Sequence, residues 1–155
     1  MTLEYIDEAW IKDNEDNLDE SIVQEGPFPY ELKTFSFERL DVWNKSLDLV
    51  ELVYAFTKNF PSEEKFSLTT QIRRSAISAP SNIAEGTSRR TVKDRIHFLN
   101  MAYSSLIELV NHLVIATRLG YLDQVNYREA RFLIQAITAM INGLVRSYER
   151  AQGEN

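Results

Sequence analysis

The chain of 155 residues is long enough for one domain with a hydrophobic core and too short for two domains of ordinary size. Its 44% hydrophobic content suits a water-soluble globular protein, and the absence of cysteine excludes disulfides and thiolate metal sites and favours a reducing compartment. No apolar run approaches the ~20 residues that span a bilayer, and the acidic N-terminus lacks a signal-peptide pattern. We therefore expect a cytoplasmic protein with no membrane association.

The charge is distributed unevenly along the chain. Residues 1–36 contain ten acidic and two basic residues, a net charge of −8, whereas the other 119 residues carry a net charge of +2. Gly26, Pro27 and Pro29 prevent a continuous helix into the following region. We expect residues 1–36 to be either a mobile acidic tail or an arm that docks on the body or on a neighbouring subunit. The apolar side of such an arm would consist of Leu3, Ile6, Trp10 and Ile11.

Two helices are predicted in the first half of the body. The first extends from about Phe37 to Phe60, where Pro61 stops it, and the second from about Leu68 to Glu85. Apolar residues at spacings of three and four define one face on each. These faces are Leu40, Trp43, Leu47, Val50, Tyr54 and Thr57 on the first helix, and Leu68, Ile72, Ala76, Ala79 and Ile83 on the second.

Two longer helices are predicted in the second half. Thr91 with Asp94 resembles a capping box for the third, which extends to Leu119 with Gly120 just beyond its end. Asp123 is positioned to cap the fourth, with Leu122 and Tyr127 as a hydrophobic staple. The predicted core faces are Val92, Ile96, Leu99, Tyr103, Leu106, Val110, Leu113 and Thr117 on the third, and Tyr127, Ala130, Ile134, Ile137, Ile141, Leu144 and Tyr148 on the fourth.

These patterns predict an all-α protein, an antiparallel up-down-up-down four-helix bundle with an acidic N-terminal extension. A sustained 3.5-residue repeat is typical of helices packed near +20°, and short connections make sequential helices antiparallel. The expected organisation is an N-terminal arm or tail at 1–36, a bundle at 37–150 and a C-terminal tail at 151–155.

No residue pattern points clearly to catalysis. The two histidines, His97 and His112, lie ~22 Å apart along one helix and are predicted to be solvated, so no metal site and no cofactor are expected. Glu-x-x-His pairs of the di-iron type, phosphate-binding glycine loops and nucleophile elbows are absent from the sequence. One alternative remains: Arg90 and His97 have the R-x6-H spacing of HEPN ribonucleases.

The basic residues are concentrated between residues 73 and 95. This segment carries six bases and two acids, a net charge of +4. Arginine binds phosphate oxygens through its planar fork, so the sequence predicts an anion-binding surface for nucleic acid. Its candidate residues are Arg73, Arg74, Arg89, Arg90, Lys93 and Arg95.

The second helix also presents a second apolar strip, outside its core face, formed by Ile77, Pro80 and Ala84. In an isolated bundle this strip is expected to be exposed, so we predict that it is buried against another subunit or, alternatively, covered by the N-terminal arm. Because proline inside a helix removes a backbone hydrogen bond, a bend is expected around Ser78–Ser81. Gly86 is expected to end the helix.

Four segments resemble the family of 23S rRNA intervening-sequence proteins, which includes the Avd accessory proteins of diversity-generating retroelements. They are FERLDVW (37–43), FPSEEKF (60–66), QIRRSAISAPSNIAEG (71–86) and LGYL (119–122), and the resemblance covers about residues 37–150. Ser67 and Ser104 depart from the pattern, which has glycine there.

The resemblance implies a homopentamer, a barrel of bundles with a central channel. It also implies a non-catalytic role with nucleic acid and, for Avd, a reverse transcriptase as partners. Arg73, Arg74, Arg89 and Arg90 match the basic positions of the family. The leading hypothesis is thus an oligomeric, RNA- or ribonucleoprotein-associated bundle, and the alternatives are a protein-binding scaffold and a HEPN-like ribonuclease.

Overall fold

The structure, a computed structural model, describes residues 33–153, so the predictions for residues 1–32 lie outside the described part of the chain. The helices described below all lie in the unit Phe35–Asn155. These are α1 (Asp41–Thr57), α2 (Leu68–Ser88), α3 (Val92–Arg118) and α4 (Gln124–Gly153), with 3-10 helices at Ser36–Arg39 and Ser62–Phe66. No strand occurs between residues 33 and 153.

Helix α1 is shorter at both ends than the sequence indicated. It begins at Asp41 because Leu40 has an extended backbone, with φ −82° and ψ 123°, and separates α1 from the first 3-10 helix. The amide of Asn44 holds this junction, donating to the carbonyls of Glu38 and Leu40. Helix α1 ends at Thr57 because Phe60, the residue before Pro61, is disfavoured in the α region. Beyond Thr57, the N–H groups of Asn59 and Phe60 donate to the carbonyl three residues back, as in a 3-10 turn.

Helix α2 continues through Pro80 without interruption and ends at Ser88. The prediction that Gly86 ends the helix is therefore wrong. Gly86 serves close packing instead: a Cβ at this position would lie 3.0 Å from Cβ of Phe98 and 3.4 Å from the carbonyl oxygen of Arg95, both in α3. The bend around Ser78–Ser81 stays a prediction, and the helix is continuous through these residues.

The predicted cap at the start of α3 and the predicted caps at the α3–α4 connection are confirmed. Thr91 Oγ1 accepts from the backbone N–H of Asp94 at 3.1 Å. In a full capping box a glutamate at the position of Asp94 accepts from the backbone N–H of the cap residue. The aspartate side chain is shorter than glutamate, and it accepts from the Thr91 hydroxyl instead. At the other end Gly120 has φ 78°, and Tyr121 N–H donates to Ala116 O at 2.9 Å in a Schellman motif. Asp123 then caps α4 by accepting from Asn126 N–H at 2.9 Å.

The four helices pack in a ring, as the prediction of a four-helix bundle required. Helices adjacent in sequence contact each other, α4 packs against α1, and α2 with α3 share the most extensive packing. Short side chains bring this pair together, and across it Ser78 Oγ and Ser105 Oγ are 2.8 Å apart. The core is a single cluster of aliphatic and aromatic side chains that includes Leu49, Ile72, Leu106 and Ile137.

The buried face of α3 is rotated toward α2 relative to the predicted stripe. Leu99, Leu106 and Leu113 are buried as predicted, but Val92, Ile96, Tyr103, Val110 and Thr117 are only partly buried. The other buried positions are Ala102, Ser105, Leu109 and Ala116. A stripe chosen by side-chain size misses small residues that a closely packed partner helix buries.

Among the described residues, α3 alone has the length and apolar composition of a membrane span, with a mean hydropathy of 1.2 over 18 residues. Core helices of water-soluble bundles share these properties. Seven side chains of α3 are buried in the bundle. Its composition therefore does not indicate a membrane protein.

Candidate nucleic-acid interface

The bases of residues 89–95 lie at one end of the bundle, here called the basic end, whereas Arg73 and Arg74, in the second turn of α2, lie toward the other end. Because consecutive helices are antiparallel, the C-termini of α2 and α4 and the N-terminus of α3 meet at the basic end. Only residues 89–91 connect α2 to α3, so the bases around this turn are held by two anchored helix ends. The six predicted anion-binding residues nevertheless have different environments.

Arg73 and Arg74 are not equivalent. Arg73 is half-buried, its Nε donates to Thr57 Oγ1 at 2.9 Å, and its guanidinium carbon lies 4.7 Å from the ring centroid of Tyr54. These contacts join α2 to α1, so the side chain is occupied within the bundle. Arg74 is exposed and has no ion pair or hydrogen bond with another described side chain.

Arg89 and Arg95 are also engaged. Arg89 forms an ion pair with Glu85 and lies over the ring of Phe98, 4.6 Å from its centroid. Arg95 donates from Nε to the carbonyl of Arg89 at 2.8 Å and stacks over Tyr148 of α4, 5.5 Å from the ring centroid. The two arginines thus connect α2, α3 and α4 at this end and fix the shape of the turn.

Arg90 and Lys93 remain available for a ligand. Both are exposed, and neither has a hydrogen bond or an ion pair with another residue in the described range. They flank the capped first turn of α3, where free N–H groups and the helix dipole favour anions. Of the six predicted residues, these two and Arg74 are the cations that could meet a phosphate without first losing a partner.

Two further arginines, missed by the sequence analysis, lie at this end on α4. Arg146 and Arg150 are exposed and, with Glu149, line an open concavity of about 450 Å³. They are far from residues 73–95 in sequence, so a search for local charge density could not find them. The detectable signal was their i, i+4 spacing near the end of a long helix.

The predicted subunit-interface strip is only partly exposed in a single chain. Ile77 is 43% exposed and Ala84 is half-buried, but Pro80 is buried, so the expectation that all three would be exposed is wrong. Pro80 lies about 20° around α2 from Arg73, on the side that packs against α1. The most exposed apolar side chains of α4 are instead Val125, at 75%, and Phe132, at 71%.

The two histidines are placed differently from each other. His97 is exposed, as predicted, with its ring edge-on to Phe98 at 5.7 Å. His112 is half-buried, and its Nδ1 lies 3.4 Å from Ser75 Oγ because α2 approaches α3 closely, so its predicted full solvation is wrong. In the described part of the chain, no three His, Cys, Asp or Glu side chains are grouped as metal ligands would be.

The fold and this basic end define a small all-α protein built as a four-helix bundle. The chain belongs to the 23S rRNA-intervening sequence protein family, whose model matches residues 38–143. It is similar to the crystal structure of a protein of unknown function from the S23 ribosomal protein family of Bacteroides thetaiotaomicron VPI-5482. The sequence identity is 26% and the TM-score 0.62, and the match covers 67% of this chain and 97% of that chain. No protein with a curated function matches significantly.

Proposed function

We propose that the protein is a non-catalytic, homo-oligomeric bundle, assembled as a pentamer in the cytoplasm, that associates with RNA or a ribonucleoprotein. The observation that carries this proposal is the pair of exposed, unpartnered cations Arg90 and Lys93 beside the capped start of α3. The family name refers to an intervening sequence of 23S rRNA, which fits RNA as the ligand.

Binding would occur mainly through the phosphate backbone. Lysine binds phosphate as a point charge, and arginine can donate two parallel hydrogen bonds to phosphate oxygens. Neutralised phosphates release counterions, so affinity should fall steeply with salt and depend weakly on base sequence. Arg89 and Arg95 act indirectly here, because their contacts hold the turn that presents Arg90 and Lys93.

The test is RNA binding by the Arg90→Gln/Lys93→Gln variant over a range of salt concentrations. We expect a several-fold loss of affinity at low salt and a slope of log affinity against log salt that is flatter by about 1.4 for a single strand. Arg89 is left intact because its substitution would also break the pair with Glu85.

A matched control is Arg118→Gln/Arg128→Gln, which removes two exposed charges at the opposite end of the bundle. It should bind almost as the unmodified chain does. An equal loss in both variants would show that net charge alone governs binding, and the proposed site would be abandoned.

A protein-binding scaffold is the second candidate, favoured by the exposure of Phe132 and Val125 on α4. The resemblance to Avd makes a reverse transcriptase one protein partner to consider. A scaffold without nucleic acid should purify with the 260/280 nm absorbance ratio of pure protein and should retain no RNA on a filter at low salt. Co-purifying RNA, removed by high salt, would favour the first candidate.

A further inference from the structure

We propose that Arg146 and Arg150 of α4 form a second phosphate-binding site at the basic end, so that two separate helices hold one nucleic acid. This inference rests on the proposed function and extends it to residues outside the segment that the sequence pointed to. The ligand class is the phosphodiester backbone of a nucleic acid, bound through its non-bridging oxygens.

The first argument is the local geometry of the two arginines. Residues four apart on a helix are neighbours on its surface, separated by about 6 Å along the axis. Both are exposed and line the concavity of about 450 Å³, together with the carboxylate of Glu149 among the described residues. Arg150 Nε donates to the carbonyl of Arg146 at 3.3 Å, which restrains the guanidinium and leaves its terminal nitrogens to donate outward.

The second argument is that the helix dipole explains the position of only one of the two arginines. A base near a helix C-terminus is stabilised by the exposed carbonyl groups, but this effect is confined to the last turn. Arg150 lies in that turn, whereas Arg146 is seven residues before Gly153, about two turns from the end. Neither forms an ion pair with another described residue; the ion pair found in the described range joins Arg89 and Glu85.

The third argument is the connection to Arg90 and Lys93. Tyr148 lies between the two arginines in sequence and is stacked under Arg95 of α3, whose Nε is bonded to the carbonyl of Arg89. These contacts fix the last turns of α4 against the α2–α3 turn. The free cations of both segments are thereby held at one end of the bundle without pairing to each other. Arg146 and Arg150 lie about 160° around α4 from Tyr148, so a strand bound at Arg90 and Lys93 would pass over the end of α4 to reach them.

The experiment measures binding of the full chain to a 20-nucleotide RNA, as a single strand and as a duplex, between 50 and 300 mM salt. The Arg146→Gln/Arg150→Gln variant should lose at least fivefold in affinity at low salt and show a flatter salt slope. Arg118→Gln/Arg128→Gln, with the same charge change at the opposite end, should lose less than twofold. The Arg146→Lys/Arg150→Lys variant should keep the slope and lose part of the affinity, because charge remains and the planar fork does not.

The outcomes separate this inference from the proposed function. If the Arg90→Gln/Lys93→Gln variant is impaired and the Arg146→Gln/Arg150→Gln variant binds as the control does, the second site is refuted and the first stands. If the unmodified chain binds neither form of RNA, both proposals fall. A loss limited to one form identifies single-stranded or duplex nucleic acid as the ligand.

Discussion

The arginine pairs show how neighbouring residues of one type divide between structure and surface. In Arg73–Arg74 and in Arg89–Arg90 the first member packs on an aromatic ring and the second is exposed. Successive helical residues point about 100° apart, so one arginine of a helical pair can lie along a neighbouring helix while the other faces solvent. Helical periodicity predicts that Arg74 faces away from the core and that Arg73 lies beside the second apolar strip, but it does not apply to Arg89 and Arg90, which lie outside the helices.

Asp123 is the residue whose ionisation should affect stability. The backbone N–H of Asn126, followed by its side-chain amide, lowers the pKa of Asp123 below the ordinary value of 3.8. A lowered pKa in the folded state means that the stabilisation is complete above pH 3.8 and is lost as the pH falls through the folded-state pKa. Asp123→Ala should therefore be less stable than the unmodified chain at pH 7, with a difference that shrinks below pH 4.

Denaturant unfolding at pH 7, 4, 3 and 2 measures this effect. Asp123→Asn is the control, since it keeps an acceptor at the cap without a titrating group. Its advantage over Asp123→Ala should stay constant with pH. A difference between the unmodified chain and Asp123→Ala that does not change down to pH 2 would contradict the assigned cause.

At the scale of elements, the sequence predicted where the helices end more accurately than which of their faces are buried. The caps at Thr91, Gly120 and Asp123 depend on a few local atoms, and all three were found where predicted. The buried face of α3 depends on which neighbour approaches most closely. The small residues Ala102 and Ser105 are buried there because α2 packs tightly against them.

Two glycines within helices provide a matched pair of substitutions. Gly86→Ala would place a methyl group 3.0 Å from Cβ of Phe98, so α2 and α3 must shift, and we expect a loss of about 1–3 kcal/mol in unfolding free energy. At Gly143 no atom lies within 4 Å of an added Cβ, and Gly143→Ala should gain about 0.5–1 kcal/mol from the lower entropy of the unfolded chain. Urea denaturation at a fixed protein concentration measures both; a Gly86→Ala variant as stable as Gly143→Ala would refute the close-packing role.

At the scale of the whole molecule, the chain combines an acidic N-terminal region with a basic body. Residues 1–36 carry a net charge of −8, and the remaining residues carry +2. Like charges repel, so this region should oppose non-specific binding of nucleic acid, most strongly at low salt. Affinities measured at the basic end therefore include this opposing effect.

The proposed assembly is tested by its mass in light scattering. A pentamer should have a mass of about 90 kDa, five times 18.0 kDa. Ile77→Asp should lower this mass, because it places a charge in the strip proposed to face another subunit. Ile107→Asp is the control, with 48% exposure against 43% for Ile77 and a position on α3. A monomer at micromolar concentration would refute the assembly, and equal masses for both variants would refute the role of the strip.

The sequence by itself determined the fold class, the caps around the α3–α4 connection and the family, because these depend on periodicity, local hydrogen bonds and motif identity. Only the tertiary structure decided which cations are free, that Pro80 is buried and that Arg146 and Arg150 lie at the same end as Arg90. Each of these depends on how far one helix is rotated and how closely it approaches its neighbour. Packing sets both quantities among residues distant in sequence, where no local pattern records them.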